Sequence, residues 1–402
     1  MQLRTKLIAD YYLGGLLHVV LKPAAIVLGK VLHRPHSLSP CAEITVVKML
    51  GGGSLAIAYP AFLALKRLPG LRRLRIVTTP AIEPFARSLN IFDEVLVIRD
   101  GNPFSILADS LRALRRLFLT DAIVDLEIYS RLTTVFALLT CAKNRVGFYT
   151  DRSFWRRRIS SHLLFCNFSN GIYNSYDQIA VLFGATLPGE EDCRASFRAS
   201  ASLAARPAGG TCVIAVAPCC SDLSPERMLH DDEWAVIVRS RVAALAGSAK
   251  AEVHLLGAPA DRARLEALKA ALAKGSPGVP VSSHAGEFTL EQSIRFLGSA
   301  RVLLCIDSSL LHFARLVGVP TVSFWGPTDP RTLLRPWPGS GDEVHYRKIS
   351  CSPCVHLAQQ PPCGGNNLCM RLAADPERNE DPNPAWVIAE RRGGRFSRFS
   401  AP

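Results

Sequence analysis

The sequence is short of acid. Asp and Glu number 34 against 47 Lys and Arg, leaving a formal net charge of +13 at pH 7. A surplus of this sign favours phosphate-bearing partners: nucleotides, anionic lipid or nucleic acid. Charge alone does not choose among them. A secretory leader with a cleavage site is also lacking, so the 12 cysteines need not form a disulfide framework, and a reducing cytosol is expected. No repeat recurs at a fixed short period, which argues against a repeat array. Aromatics are sparse at 8%, beside 20% charged and 48% hydrophobic residues, a composition neither collagen-like nor disordered. An uninterrupted apolar run of spanning length is missing too. Tyr11 to Gly29 is apolar over 19 residues but contains His18, Lys22 and Pro23. Such interruptions suit a membrane span poorly. With Arg4, Lys6, Lys30 and Arg34 flanking it, the segment reads as lying on an anionic membrane surface, ahead of a span or a helix packed on the domain. The expected location is cytoplasmic, peripheral on the inner membrane.

What is present is alternation. At 402 residues the chain is long enough for two cores of roughly 150 to 200 residues each. From Ile44 onward, "ITVVKML", "LRIVTT", "EVLVIR" and "AIVDLEI" read as buried strands separated by helical stretches, the first through the turn "GGGS" into the helix "LAIAYPAFLALKRL". The pattern restarts with "CVIAVAP", "AEVHLLG", "ARVLLCI" and "PTVSFWG", between which lie helical segments such as "DDEWAVIVRSRVAALA" and "PADRARLEALKAALA". Strand and helix in alternation predict parallel sheets covered on both faces. The division read from this is a basic, apolar membrane-associating segment over 1–40, Rossmann-like domains over 41–198 and 211–345, a small-residue linker over 199–210, and a Cys-containing, basic tail over 346–402. Two doubly wound domains bind ligands at the carboxyl ends of their strands, so a central cleft between them is the expected site.

The segment richest in chemistry is "ARVLLCIDSSLLHFARLVGVPTVSFWGPTDP". Its strand ends in Asp307, Ser308 and Ser309, where a helix begins; free N–H groups and the positive dipole end there suit a pyrophosphate. The plainer alternative makes Asp307 or Ser308 a cap and His312 an ordinary helical residue. The following strand brings Gly326, Pro327 and Thr328 to the same sheet edge. Arg227, after the strand Cys212 to Ala217, precedes a helix and has the fork geometry for phosphate, although a surface arginine is the simpler reading. The turn containing Gly52, Gly53 and Ser54 permits close backbone approach to a ligand.

The order and spacing of these motifs resemble the ADP-heptose:lipopolysaccharide heptosyltransferases, glycosyltransferase family 9. "ITVVKMLGGGSLAIAYPAFLALKRL" resembles the family's opening strand, turn and helix, and "CIDSSLLHFARLVGVPTVSFWGPTDP" its donor-binding signature. "NRVGFYTDRS" and "APCCSDLSPER" fall where the family has similar wording and a phosphate-binding loop, and the likeness runs roughly from Ile44 to Met370. It implies a GT-B fold, a nucleotide-diphosphate sugar donor (ADP-heptose-like) held mainly by the second domain, and a lipid-linked saccharide acceptor, such as lipopolysaccharide core, held by the first. By the same resemblance Asp307, Ser308, Ser309 and His312 hold the donor, Arg227 stands where the family usually has Lys, and Thr328 lines the pocket. No cofactor is required if Arg227 and the helix N-terminus neutralise the departing diphosphate.

The sequence departs from the family at two positions. Ser54 stands where the family carries an Asp proposed as general base, and Leu229 where a Trp is usual. A serine hydroxyl cannot serve as a base near neutral pH. Either the base has moved, with Glu127 on "DAIVDLEIYSRLTT" the candidate, or the chain binds a nucleotide sugar or glycan without turnover. Asp125 and Glu127, two apart, should face one side of a strand; the plainer reading of Glu127 is an ion pair with Arg131. A nucleotide-sugar epimerase has no specific motif here, and nucleic-acid binding rests on charge alone. Cys351, Cys354, Cys363 and Cys369 are spaced C-x2-C-x8-C-x5-C with His356 nearby. That spacing permits tetrahedral zinc, but buried reduced thiols or a labile disulfide fit it as well, and no metal is assigned.

Overall fold

Aliphatic runs become strands buried on both faces, as a parallel sheet covered by helices requires. The computed structural model describes residues 3–33, 35–203, 211–220, 224–246, 250–275, 278–355, 357–358, 361, 363–375 and 377, in two units, Met1–Cys193 and Arg194–Pro402. The first contains α1 (Leu3–Leu32), β1 (Glu43–Val47), α2 (Gly53–Ile57), α3 (Tyr59–Lys66), β2 (Arg73–Thr78), α4 (Glu83–Ser88), β3 (Glu94–Val97), α5 (Pro103–Leu117), β4 (Ala122–Asp125), α6 (Arg131–Leu139), β5 (Asn144–Tyr149), β6 (His162–Phe165) and α7 (Ile172–Leu182). Its six strands are ordered β3-β2-β1-β4-β5-β6, all parallel. The order reverses between β1 and β4, so their carboxyl ends open the crevice where such sheets place ligands. Val47, Val77 and Ile123 pack with Ala113 and Leu117 of α5 and Phe136 and Ala137 of α6.

Helix α8 (Glu190–Ser200) contains the division between the units. The second unit continues with β7 (Cys212–Ala217), α9 (Asp231–Ala246), β8 (Ala251–Leu255), α10 (Arg262–Gly275), β9 (Val281–Ser283), α11 (Leu290–Leu297), β10 (Val302–Ile306), α12 (Ser309–Val317), β11 (Thr321–Trp325), α13 (Pro330–Leu333), β12 (Glu343–Tyr346) and α14 (Leu368–Ala374). The sheet order β12-β11-β10-β7-β8-β9 is again parallel throughout. Counted from β7, it repeats the order of the first sheet, with its reversal between β7 and β10. Ile214, Val216, Leu304, Ile306 and Phe324 join Trp234 of α9, Leu268 of α10 and Met370 of α14 in one core.

Two local expectations are corrected, and one segment is given its form. The single helix read over "LAIAYPAFLALKRL" is two, α2 and α3, meeting at Ala58 just before Pro60, because a proline ring is at ease only in a helix's first turn. β4 ends at Asp125, so Glu127 lies beyond the strand and does not share a face with Asp125. The interrupted run at the N-terminus is one continuous helix, α1, despite Pro23 inside it.

Candidate functional site

In the first unit the reversal point brings the ends of β1 and β4 together around Glu127. Its Oε1 accepts from Lys48 Nζ at 3.1 Å, Met49 N at 2.7 Å and Leu50 N at 3.0 Å. Oε2 accepts no hydrogen bond among the described residues. Burial pushes the Glu127 carboxyl up, but Lys48 and the two amides outweigh it and hold it below the usual glutamate value. Burial pushes the Lys48 ammonium down, and Glu127 outweighs that too, leaving it raised. The partner of Glu127 is thus Lys48 and not Arg131. Asp125 turns inward: Oδ2 accepts from Thr133 Oγ1 at 2.9 Å and Arg156 Nη2 at 3.1 Å, while Oδ1 accepts from Glu127 N at 3.0 Å. Burial raises its pKa. Arg156, fully buried, also donates to the carbonyls of Glu127 and Ser130, so it fixes the loop on which Glu127 sits.

The glycine turn is used structurally as well. Gly51 takes φ +73°, a conformation glycine adopts without steric penalty. A Cβ on Gly52 would fall 2.3 Å from the Phe85 ring, so that face of Gly52 is turned to protein rather than to a ligand. Gly53 opens α2. Ser54 Oγ donates to Gly51 O at 2.6 Å and is reached by the Tyr176 hydroxyl.

In the second unit Asp307, at the end of β10, organises the site. Its Oδ2 accepts from Thr328 Oγ1 at 2.9 Å and Arg227 Nη1 at 3.3 Å; Arg227 Nη1 also donates to Asp307 O at 2.8 Å, and His312 Nε2 stands 3.8 Å from Oδ1. Burial pushes Asp307 up, and His312, Arg227 and Thr328 together outweigh it, so the carboxyl sits below its usual range. Arg227 Nε donates to Ser224 O at 3.2 Å, and its side chain also hydrogen-bonds the Cys220 thiol. The guanidinium is thus anchored against Ser224, Cys220 and Asp307, with a fork geometry suited to an anion.

Ser308 is the N-cap of α12, yet its hydroxyl makes no cap bond and, although buried, has no hydrogen-bond partner among the described residues. Buried polar groups are nearly always paired, so an orphan at a helix N-terminus, where amides and dipole favour negative charge, fits a phosphate. Ser309 begins the helix beside it. Thr328 spends its hydroxyl on Asp307, and Gly326 lies against protein, where a Cβ would meet Cys369 Sγ at 2.7 Å. Residues 221–223 of the expected phosphate loop lie outside the described residues.

Residues 194–363 match the family model for glycosyltransferase family 9 (heptosyltransferase). The resemblance read from the sequence is to this family, and the match covers the part of it in the second unit, including Asp307 to Pro330. Among solved structures, the family 9 glycosyl transferase from Veillonella parvula is similar at 17% identity, with a TM-score of 0.57 over 75% of this chain and 85% of that one. The E. coli ADP-heptose LPS heptosyltransferase II is similar at 16%, with a TM-score of 0.56 over 76% and 90%. The E. coli heptosyltransferase WaaC with ADP-2-deoxy-2-fluoro heptose gives 16% and 0.56 over 75% and 92%. These identities establish likeness of fold: two six-stranded α/β units of the GT-B class. Comparison with curated proteins finds no match.

The four tail cysteines gather within electrostatic reach of one another, with burial raising Cys354 to about 11 and Cys369 to about 12. Among the described residues no three metal-ligating side chains form a group placed to hold an ion, and His356 lies outside those residues. The cluster abuts the loop after β11: Ser352 Oγ donates to Gly326 O and Cys354 N to Pro327 O at 3.0 Å. Sequence reasoning missed Lys48 and Arg156. Lys48 had a visible signal, a cation breaking the apolar run "ITVVKML" at its carboxyl end, whereas Arg156 is hidden among three consecutive arginines.

Proposed function

We propose that this chain transfers a sugar, heptose-like, from a nucleotide-diphosphate donor to a hydroxyl of a lipid-linked saccharide such as lipopolysaccharide core. The observation that carries the reading is the buried Ser308 hydroxyl at the N-terminus of α12, without a partner among the described residues, next in sequence to Asp307, on which Arg227 is held. Together they present neutral and cationic donors to a diphosphate, whose charge grows as the glycosidic bond breaks, and a transferase must stabilise that charge. The likeness to heptosyltransferases supports the choice of sugar class. Glu127 is assigned as the base on position alone: Oε2 is the oxygen left to take the acceptor proton, while Oε1 holds the carboxylate in place; its depressed pKa makes it a weak base that works through placement rather than strength.

Thermal-shift and calorimetric titration with ADP, GDP, UDP, CMP and their sugar conjugates tests the donor site, since a ligand of the native state raises its stability. Ser308→Ala should leave the stability of the free protein nearly unchanged, because that hydroxyl bonds nothing among the described residues, while weakening diphosphate binding several-fold, on the order of one hydrogen bond. Equal affinity of wild type and variant for every nucleotide would remove the assignment. A second reading, binding without turnover, is favoured by Ser54 at the family's base position; a protein that binds donor and releases no diphosphate would establish it.

A further inference from the structure

Helix α1 is seated on the first unit by a stripe of polar and small residues spaced four apart. Asp10 accepts from Ser130 Oγ at 2.6 Å, Arg131 N at 3.0 Å and Leu132 N at 3.0 Å, capping the N-terminus of α6. Gly14 lets the two helices close up, since a Cβ there would meet Arg131 Cβ at 2.7 Å. His18 is buried edge-on against Trp155, and Lys22 Nζ donates to Trp155 O at 3.0 Å. Lys6 pairs with Asp100.

At 100° per residue the opposite side of the helix carries Tyr12, Leu16, Val19, Val20, Val27 and Val31, which are 71%, 62%, 70%, 62%, 60% and 69% exposed. The helix is inverted relative to one in water: its polar stripe faces protein and its apolar face is left outside. So large an exposed apolar surface marks an interaction site. At the end of the polar stripe Lys22 meets the chain at Trp155, and the next residues but one, Arg157 and Arg158, both exposed, act on its charge. Among the described residues no carboxylate pairs with any of the three. Burial, and after it Arg158 and Arg157, depress the Lys22 pKa, so the three cations stand close enough to act on one another. Trp155, half-buried, and Phe154, 46% exposed, lie on the same loop, the residue types that settle at a headgroup boundary.

We propose that α1 lies flat in one leaflet of an anionic phospholipid membrane, its outer face in the acyl boundary, with lipid phosphates bound by Lys22, Arg157 and Arg158. A helix of this length and apolarity could cross a bilayer by composition alone. The bonds from Asp10 to Lys22 instead hold it along the domain, which crossing would require breaking. The inference is independent of the sugar transferred.

Co-sedimentation of the full chain with vesicles of phosphatidylcholine, with and without phosphatidylglycerol, tests it. Binding should be stronger to the anionic vesicles and fall with salt. Arg157→Gln with Arg158→Gln, both exposed, should cost roughly thirtyfold in partition onto the anionic vesicles, from about 1 kcal/mol per cation. Leu16→Ser with Val20→Ser should lower binding to both vesicle types with the circular dichroism unchanged. Equal binding to neutral and anionic vesicles, unaffected by the arginine changes, would overturn the phosphate site. Native membranes that retain the chain through alkaline carbonate would show a spanning helix and overturn the flat placement.

Discussion

Lys48 Nζ lies 3.1 Å from Glu127 Oε1, with both side chains largely buried where two adjacent parallel strands end. Removing one member of a buried pair strands the other's charge. Lys48→Met should therefore destabilise the first unit by about 3 kcal/mol, and adding Glu127→Gln should recover part of the loss. Urea unfolding of both variants checks this; a Lys48→Met protein within about 0.5 kcal/mol of wild type would show the pair to be unimportant.

The pair also sets a pH dependence. Because the folded pKa of Glu127 is depressed, its contribution is complete above the ordinary glutamate value and is lost as pH falls through the folded one. The stability difference between wild type and Glu127→Gln should thus be constant near neutrality and shrink in acid, below about pH 4.5. A difference that grew in acid would mean the carboxyl is raised rather than lowered.

Arg227 reaches outward from a fixed base, so Arg227→Ala should weaken ADP by roughly ten- to a hundredfold, as for a charged hydrogen bond, and adenosine hardly at all. Asp307→Asn should reduce affinity as well, because it loosens the guanidinium. Calorimetry with the two ligands separates the cases; equal loss for ADP and adenosine would place Arg227 away from phosphate.

Gly326→Ala would push a methyl group into Cys369, whose Sγ and carbonyl carbon lie 2.7 and 3.0 Å from the added Cβ. Overpacking of this kind costs about 1–3 kcal/mol and should displace the loop carrying Thr328. Thermal unfolding together with ADP affinity reads both effects; an unchanged melting temperature would contradict the packing.

The strands were legible because their apolar runs are bounded by Gly, Pro and polar residues, and the Asp307 segment because a strand, a cap and a helix follow one another within a few residues. Helix α9 coincides with the run "DDEWAVIVRSRVAALA" that suggested it. Contacts distant in sequence could not be read: Lys48 with Glu127, Asp10 capping α6, and Arg156 beneath Asp125 and Glu127 all depend on the fold. The turn at Gly52 was read as open to a ligand, yet a missing side chain does not say which neighbour fills the space; here Phe85 does, as Cys369 does at Gly326.

Release of nucleoside diphosphate by Glu127→Gln tests the central claim most directly. A glutamine amide oxygen can still accept from Met49 N and Leu50 N while removing the proton acceptor at Oε2; because it also leaves the buried Lys48 without its counter-charge, folding and donor affinity are measured beside turnover. With a heptose-type donor and lipopolysaccharide core acceptor, wild type should release diphosphate and Glu127→Gln should not, at equal donor affinity by calorimetry. Full turnover by Glu127→Gln would contradict the assigned base, and donor binding without release by wild type would contradict transfer itself.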